Sequence, residues 1–207
     1  MDTRDPIEST TMPKLSLKQS VALTDLTTTI NRYRQFTPGI YVCLHVPVLL
    51  HESSYIVPGL VAMVNHGRLK QCEPTDNGFQ GPPNFVLDVF EEADRNEYKN
   101  RRSAFERVGV IEYVAVFLGA KAACFWNRLD GSEFEAVSPD ERGVIKSKAL
   151  PGLWFSTHRE EGQESWSLGD GIEAGVTRLG HHEFMETIFH TDGRDPAWGD
   201  WMPFDAG

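Results

Sequence analysis

An α/β fold with a central mixed sheet flanked by helices is what this sequence predicts, and three observations carry it. Short runs rich in β-branched and aromatic residues recur between turn signals, a densely charged helix separates two of them, and 207 residues with 40% hydrophobic content suffice to bury one core. One domain is the expectation at this length.

Residues 1–14, MDTRDPIESTTMPK, mix Thr, Ser, Pro and charge with little apolar content and read as a frayed, disordered leader. Over residues 15–36, Leu23, Leu26, Ile30 and Tyr33 fall at the spacing of one helical face, and Pro38-Gly39 ends the run. Residues 39–50, GIYVCLHVPVLL, predict a strand that bends or lies at an edge because of Pro47. LVAMV (60–64) and FVLDVF (85–90) predict buried strands, and residues 67–83 between them read as a turn-rich connector. Asp94 followed by Glu97 predicts a capped helix that runs to Val108 and stops at Gly109.

EYVAVF (112–117) and AACFW (122–126) predict two further strands, with Gly119 in the turn between them. Strand, helix and strand in that order imply a right-handed parallel crossover. SEFEAV (132–137) and GVIKSKA (143–149) predict shorter strands, and Gly162 to Gly180 reads as irregular and Gly-rich. The expected organisation is a leader (1–14), a domain (15–157) and a C-terminal extension packing on it (158–207).

The formal net charge of −10 opposes sequence-independent binding to nucleic acid, which depends on lysines and arginines displacing counterions from phosphates. It excludes a general duplex-coating protein, although charge can be segregated into one cleft. No apolar stretch approaches the roughly 20 residues that cross a bilayer, and no signal peptide is recognisable, so the expectation is a cytoplasmic protein without a membrane partner. Cys43, Cys72 and Cys124 are odd in number and widely spaced, and read as reduced core thiols.

PNFVLDVF, the charged helix after it and RVGVIEYVAVF together resemble the central signature of the Uma-two family, P-D-x-x-x-E-V, a helix, then G-V-x-E-Y-W-x-V-D. GSEFEAVSPDERGVIKSKALPGLWF is similar to that family's C-terminal module, and HVPVLLHESSYIVPGLVAM to its P-x-x-V-x-L…V-x-P-D-L strand pair. Three motifs in order cover residues 15–157. The resemblance implies a restriction-endonuclease-like, PD-(D/E)XK, core and a metal-dependent endonuclease acting on DNA as a phosphodiester hydrolase.

In such a site, carboxylates on neighbouring strands hold Mg²⁺ and a lysine orients the attacking water. The resemblance puts Gly59 at the first carboxylate position, Asp88 at the second in place of Glu, and Arg101 at the lysine position, eight residues before Gly109. Lys99 would serve only if the helix were rotated. Asn84 stands where the family has Asp, Phe117 replaces the Asp ending the next strand, and the family's N-terminal Tyr-Glu-x-x-x-Gly segment has no counterpart before Leu15. The leading expectation is therefore a pseudoenzyme, a nuclease fold whose catalysis is weakened or lost, with Asp88 as the surviving metal position and Mg²⁺ as cofactor only if activity persists.

Two further readings accompany it. One is an active Mg²⁺-dependent DNA endonuclease that draws a replacement ligand from Glu52, Glu91 or Glu92. The other is a protein-binding or assembly module using the acidic surface and the aromatic tail (Trp198, Trp201, Phe204), with a homodimer implied by the family. His182, Glu186 and His190 share one helical face and form a second candidate metal site, against the competing demand of Phe184, Ile188 and Phe189 for a core.

Overall fold

A computed structural model describes residues 15–51, 54–119, 123–156 and 169–189. The leader, Glu52, His190 and the aromatic tail lie outside the described residues.

Helix α1 (Leu17–Phe36) opens on Ser16, whose hydroxyl accepts from the Gln19 N–H while the Gln19 side chain accepts from the Ser16 N–H. This reciprocal cap satisfies two donors the first turn would otherwise leave unpaired. Leu23, Leu26, Ile30 and Tyr33 form its buried stripe, as their spacing predicts.

The single bent strand expected over 39–50 is two strands. β1 (Ile40–Leu44) and β2 (Val48–His51) are separated where His45 takes a φ of 51° ahead of Pro47, and they enter different sheets. β3 (Ser54–Ile56) pairs with β2, and β4 (Leu60–Val64) is antiparallel to β1. The connector is more ordered than its turn residues suggest: a 3₁₀ turn (Gly67–Leu69) precedes a hairpin of β5 (Glu73–Thr75) and β6 (Gly78–Gln80). It forms because Cys72 and Phe79 bury against Val48 and Val61.

β7 (Phe85–Glu91) runs antiparallel to β4 and parallel to β8 (Glu112–Leu118), and α2 (Arg95–Val108) makes the crossover between β7 and β8. The cap differs from expectation. The Asp94 carboxylate accepts from the Glu91 N–H at 2.9 Å and caps the 3₁₀ turn Glu92–Asp94 instead of α2 itself. Gly109 ends α2 at φ 88°, where its N–H reaches back to Phe105 and Glu106 carbonyls. β9 (Ala123–Asp130) and β10 (Glu133–Val137) complete a six-stranded sheet in the order β1-β4-β7-β8-β9-β10.

Two cores cover the two faces of this sheet. Phe85, Leu87 and Val89 point to the α1 face, and Val86 and Phe90 to the face holding Phe105 of α2, as the two-residue period of a strand requires. A hairpin of β11 (Val144–Lys146) and β12 (Trp154–Ser156) lies on the α1 side.

Within the stretch expected to be irregular lies α3 (Gly169–Val176), and the helix expected to align His182 and Glu186 is α4 (Leu179–Phe189). Glycine here permits close approach. A Cβ at Gly171 would meet the Trp154 carbonyl oxygen at 2.6 Å, and one at Gly175 the Gly152 carbonyl oxygen at 2.2 Å, so only bare backbone lets α3 lie against β12. Ile172, Phe184 and Ile188 complete the α1-side core. Of the thiols, Cys72 is buried, whereas Cys43 and Cys124 are only half-buried because they sit nearer the sheet margins. Among the described residues no helix is long and apolar enough to cross a membrane.

Glu112 ties the hairpin to the sheet. Wholly buried, it accepts from Arg128 Nε at 2.7 Å, from the Ser147 hydroxyl at 2.5 Å, and from the backbone N–H groups of Lys148 and Ala149. Glu112→Ala would strand a guanidinium and three other donors in the interior. We expect urea denaturation to show a loss of about 3–5 kcal/mol, whereas a loss below about 1 kcal/mol would contradict this anchoring role.

Candidate active-site cleft

β7 carries Asp88 three residues before its end, beside Ala115 of β8 and next to Gly59, which precedes β4. The strand alternation turns its carboxylate to the α2 face, where it is only 5% exposed. Oδ1 accepts from the Gly59 N–H at 2.7 Å, and Oδ2 accepts from the Tyr113 hydroxyl at 3.1 Å. Arg101, projecting from α2, sets Nη1 at 3.5 Å from Oδ1 and 3.4 Å from Oδ2.

Arg101 is itself fixed in place. Its Nη1 donates to the Val57 carbonyl at 3.0 Å and its Nε donates to Glu97 Oε1 at 2.9 Å, one helical turn earlier. The three positions singled out in the sequence, Gly59, Asp88 and Arg101, thus converge at the mouth of one cleft of about 570 Å³. Glu91, Asp94 and Glu97 line the same cleft. Lys99 is exposed and does not line it, because α2 directs Arg101 inward.

Burial raises the Asp88 carboxyl above the ordinary range, against the opposing pull of Arg101, the Gly59 N–H and Tyr113. For Arg101, burial works against the charge, and Asp88 and Glu97 outweigh it, so the guanidinium is held charged. Tyr113 is raised well above its usual value by burial and then by the neighbouring carboxylate, and stays a neutral donor.

This donor set does not fit a divalent ion. Mg²⁺ requires near-octahedral oxygen ligands at about 2.0–2.1 Å, and here the one convergent carboxylate already accepts from three groups, one of them a cation. Gly59 brings a hydrogen-bond donor where a ligand would be needed. Position 59 is tight. A Cβ there would lie 3.1 Å from the Leu87 carbonyl oxygen, 3.3 Å from Leu23 Cδ1 and 3.6 Å from Asp88 Oδ1, so an aspartate would sit beside Asp88 only if the β7 backbone and Leu23 each gave by a few tenths of an ångström.

The other candidate residues fall elsewhere. Asn84 sits at the opposite end of β7, buried, accepting from the Val64 N–H and donating to the Leu69 carbonyl. Phe117 is buried and stacked on Phe90. Glu92 approaches Gly119 and does not line the cleft. His182 and Glu186 pair at 3.4 Å on an exposed face of α4, and the apolar demand of that helix is met by Phe184 and Ile188. The neighbouring His181, passed over in the sequence, is buried and shares a 2.9 Å hydrogen bond with the Thr37 hydroxyl.

Tyr113 was also missed as a site residue. Its signal was present in the strand pattern: on a strand parallel to β7, Tyr113 and Ala115 share the face of Val86 and Asp88, so one of them had to meet the carboxylate.

The raised Asp88 pKa has a definite consequence for stability. The folded state binds the proton more tightly than the unfolded chain, so this contribution is full below the ordinary value of 3.8 and is lost as pH rises through the folded-state value. We expect urea midpoints to show wild type losing stability relative to Asp88→Asn as pH increases above 3.8. A pH-independent difference between the two proteins would refute it.

The profile of the Uma2 family, described as "Putative restriction endonuclease", matches residues 8–158. No curated protein matches the chain. Among solved structures, similarity extends to the crystal structure of a putative nuclease belonging to DUF820 from Anabaena variabilis, at 14% identity and a TM-score of 0.50, covering 66% of this chain and 75% of that one. At that identity the likeness is one of fold, and it extends to a nuclease-type mixed sheet with flanking helices.

Proposed function

Because the chain belongs to the Uma2 family, we propose that it is a restriction-endonuclease-like protein whose metal-dependent catalysis is weakened or lost, with the Asp88–Arg101 pair occupying the place of the metal centre. The observation that supports this most directly is the guanidinium held 3.4 Å from Asp88 by its own anchors, Val57 and Glu97. A fixed monovalent cation satisfies the carboxylate, and it neither acidifies water nor opens coordination positions to a phosphate. Arg101 also cannot give up a proton at neutral pH, which removes a role open to lysine. Glu91, Asp94 and Glu97 add negative charge along the cleft and disfavour a phosphodiester approaching Asp88. A cytoplasmic location accords with three free cysteines.

Incubation of single- and double-stranded DNA with Mg²⁺ or Mn²⁺ should give cleavage no faster than that of Asp88→Ala. Robust cleavage abolished by Asp88→Ala would overturn the proposal and favour an active enzyme recruiting Glu91, Asp94 or Glu97.

Restoring the family's residue types should rebuild an ion site, since a side chain at position 59 would stand beside Asp88, with its Cβ 3.6 Å from Oδ1. Calorimetry is expected to detect Mn²⁺ binding to Gly59→Asp with Arg101→Lys and none to wild type. Tight Mn²⁺ binding by wild type that is lost in Asp88→Ala would be the contrary result.

A further inference from the structure

Outside the carboxylate cleft lies a larger groove of about 980 Å³ between the β11–β12 hairpin and α3. Its lining includes Arg142, Lys146, Arg178 and Trp154, and the three cations are all exposed. The indole organises two of them: Lys146 Nζ lies 4.8 Å and the Arg178 guanidinium carbon 5.7 Å from the ring centroid. A cation held by a π face is positioned without being neutralised, in contrast to one held by a carboxylate. Among the described residues no carboxylate pairs with Arg142 or Arg178.

Two acidic side chains also line the groove, Asp140 and Glu141. Asp140 is already engaged, accepting from the N–H groups of Arg142 and Val144 at 3.0 Å each and approached by Lys146 at 3.5 Å. Three cations thus stand against two carboxylates in the groove, Lys146 is shared with Asp140, and Arg142 and Arg178 are the two cations left for a ligand. Its shape is built in as well. Gly171 and Gly175 bring the α3 backbone against β12, and a Cβ at Gly175 would come 3.0 Å from Trp154 Cδ1. The wall that sets the indole thus depends on two absent side chains.

The groove shares no lining residue with the Asp88 cleft. Arg128, bonded to Glu112 at the start of β8, donates to the Lys146 carbonyl, whereas Asp88 pairs with Ala115 further along that strand. Three strand residues separate the two levels, on the order of 10 Å.

From Arg142 and Arg178, which have no carboxylate partner among the described residues and line one groove with Lys146 and Trp154, we propose that this groove is a phosphate-binding site, taking the phosphate groups of a nucleotide or of a single nucleic-acid strand. Arg142 and Arg178 supply fork-shaped donors suited to phosphate oxygens, and Lys146 supplies a point charge. A 980 Å³ groove has room for a nucleotide-sized ligand. The proposal goes beyond the reading of the cleft and holds whether or not Asp88 supports catalysis.

Two probes distinguish the sources at low salt: fluorescence anisotropy with a short fluorescein-labelled single-stranded oligodeoxynucleotide, and calorimetry with ADP. The double variant Arg142→Ala, Arg178→Ala, at exposed positions that should fold, is compared with Lys18→Ala, Arg68→Ala, which changes net charge equally elsewhere. We expect binding of at least one probe, weakened about tenfold or more in the groove variant alone, and for the oligonucleotide a salt slope shallower by about 1.4, as loss of two phosphate contacts requires. Tighter binding of the oligonucleotide assigns the site to a strand, and tighter binding of ADP to a free nucleotide. Failure of wild type to bind either probe, or equal weakening in both variants, would overturn the proposal.

Discussion

A single carboxylate buried between β7 and α2 sets the terms for the rest of the site. Asp88 has too little contact with water to remain charged without donors, and three groups from different parts of the chain supply them: the Gly59 N–H, the Tyr113 hydroxyl and the Arg101 guanidinium. Each of these commitments constrains another element. Gly59 fixes the entry of β4, Tyr113 the register of β8, and Arg101 the face of α2 that turns inward. The three contacts hold together because a buried charge requires all of them at once.

The same chain carries a second buried carboxylate with a different task. Glu112 lies on the strand beside Asp88's, satisfied by Arg128, Ser147 and two backbone N–H groups, and it joins the β11–β12 hairpin to the main sheet. The contrast explains how one sheet can keep its architecture while its cleft changes chemistry. The contacts of Glu112 bear on folding, those of Asp88 on the cleft, and the two sets share no partner. Charge differs between the two concavities as well, with carboxylates outnumbering Arg101 along the cleft and three cations facing two carboxylates in the groove beside Trp154.

Much of this architecture was legible in the chain. The stripe of α1, the strands around Leu60 and Phe85, the charged crossover helix and the stop at Gly109 all followed from periodicity and turn chemistry. The juxtaposition of Gly59, Asp88 and Arg101 was reached through family motifs and not through periodicity or turn chemistry. Other features were misread for identifiable reasons. The 3.6-residue period of α3 was obscured by Gly171 and Gly175, which sit against Trp154 and Gly152, and the turn-rich connector hid a hairpin whose order comes from burying Phe79 and Cys72.

Local residue pattern by itself determined the helical or extended character of α1, β4, β7, α2 and β8, because those preferences arise from backbone sterics and side-chain period. It also determined that position 59 offers no side-chain ligand oxygen. Only the tertiary structure decided what fills that vacancy. The Arg101 side chain reaches Asp88 because a parallel crossover lays α2 over β7 and because Val57 and Glu97 aim the guanidinium. Glu97 is one helical turn from Arg101, but Val57 is 44 residues away in the chain, where no local rule can act.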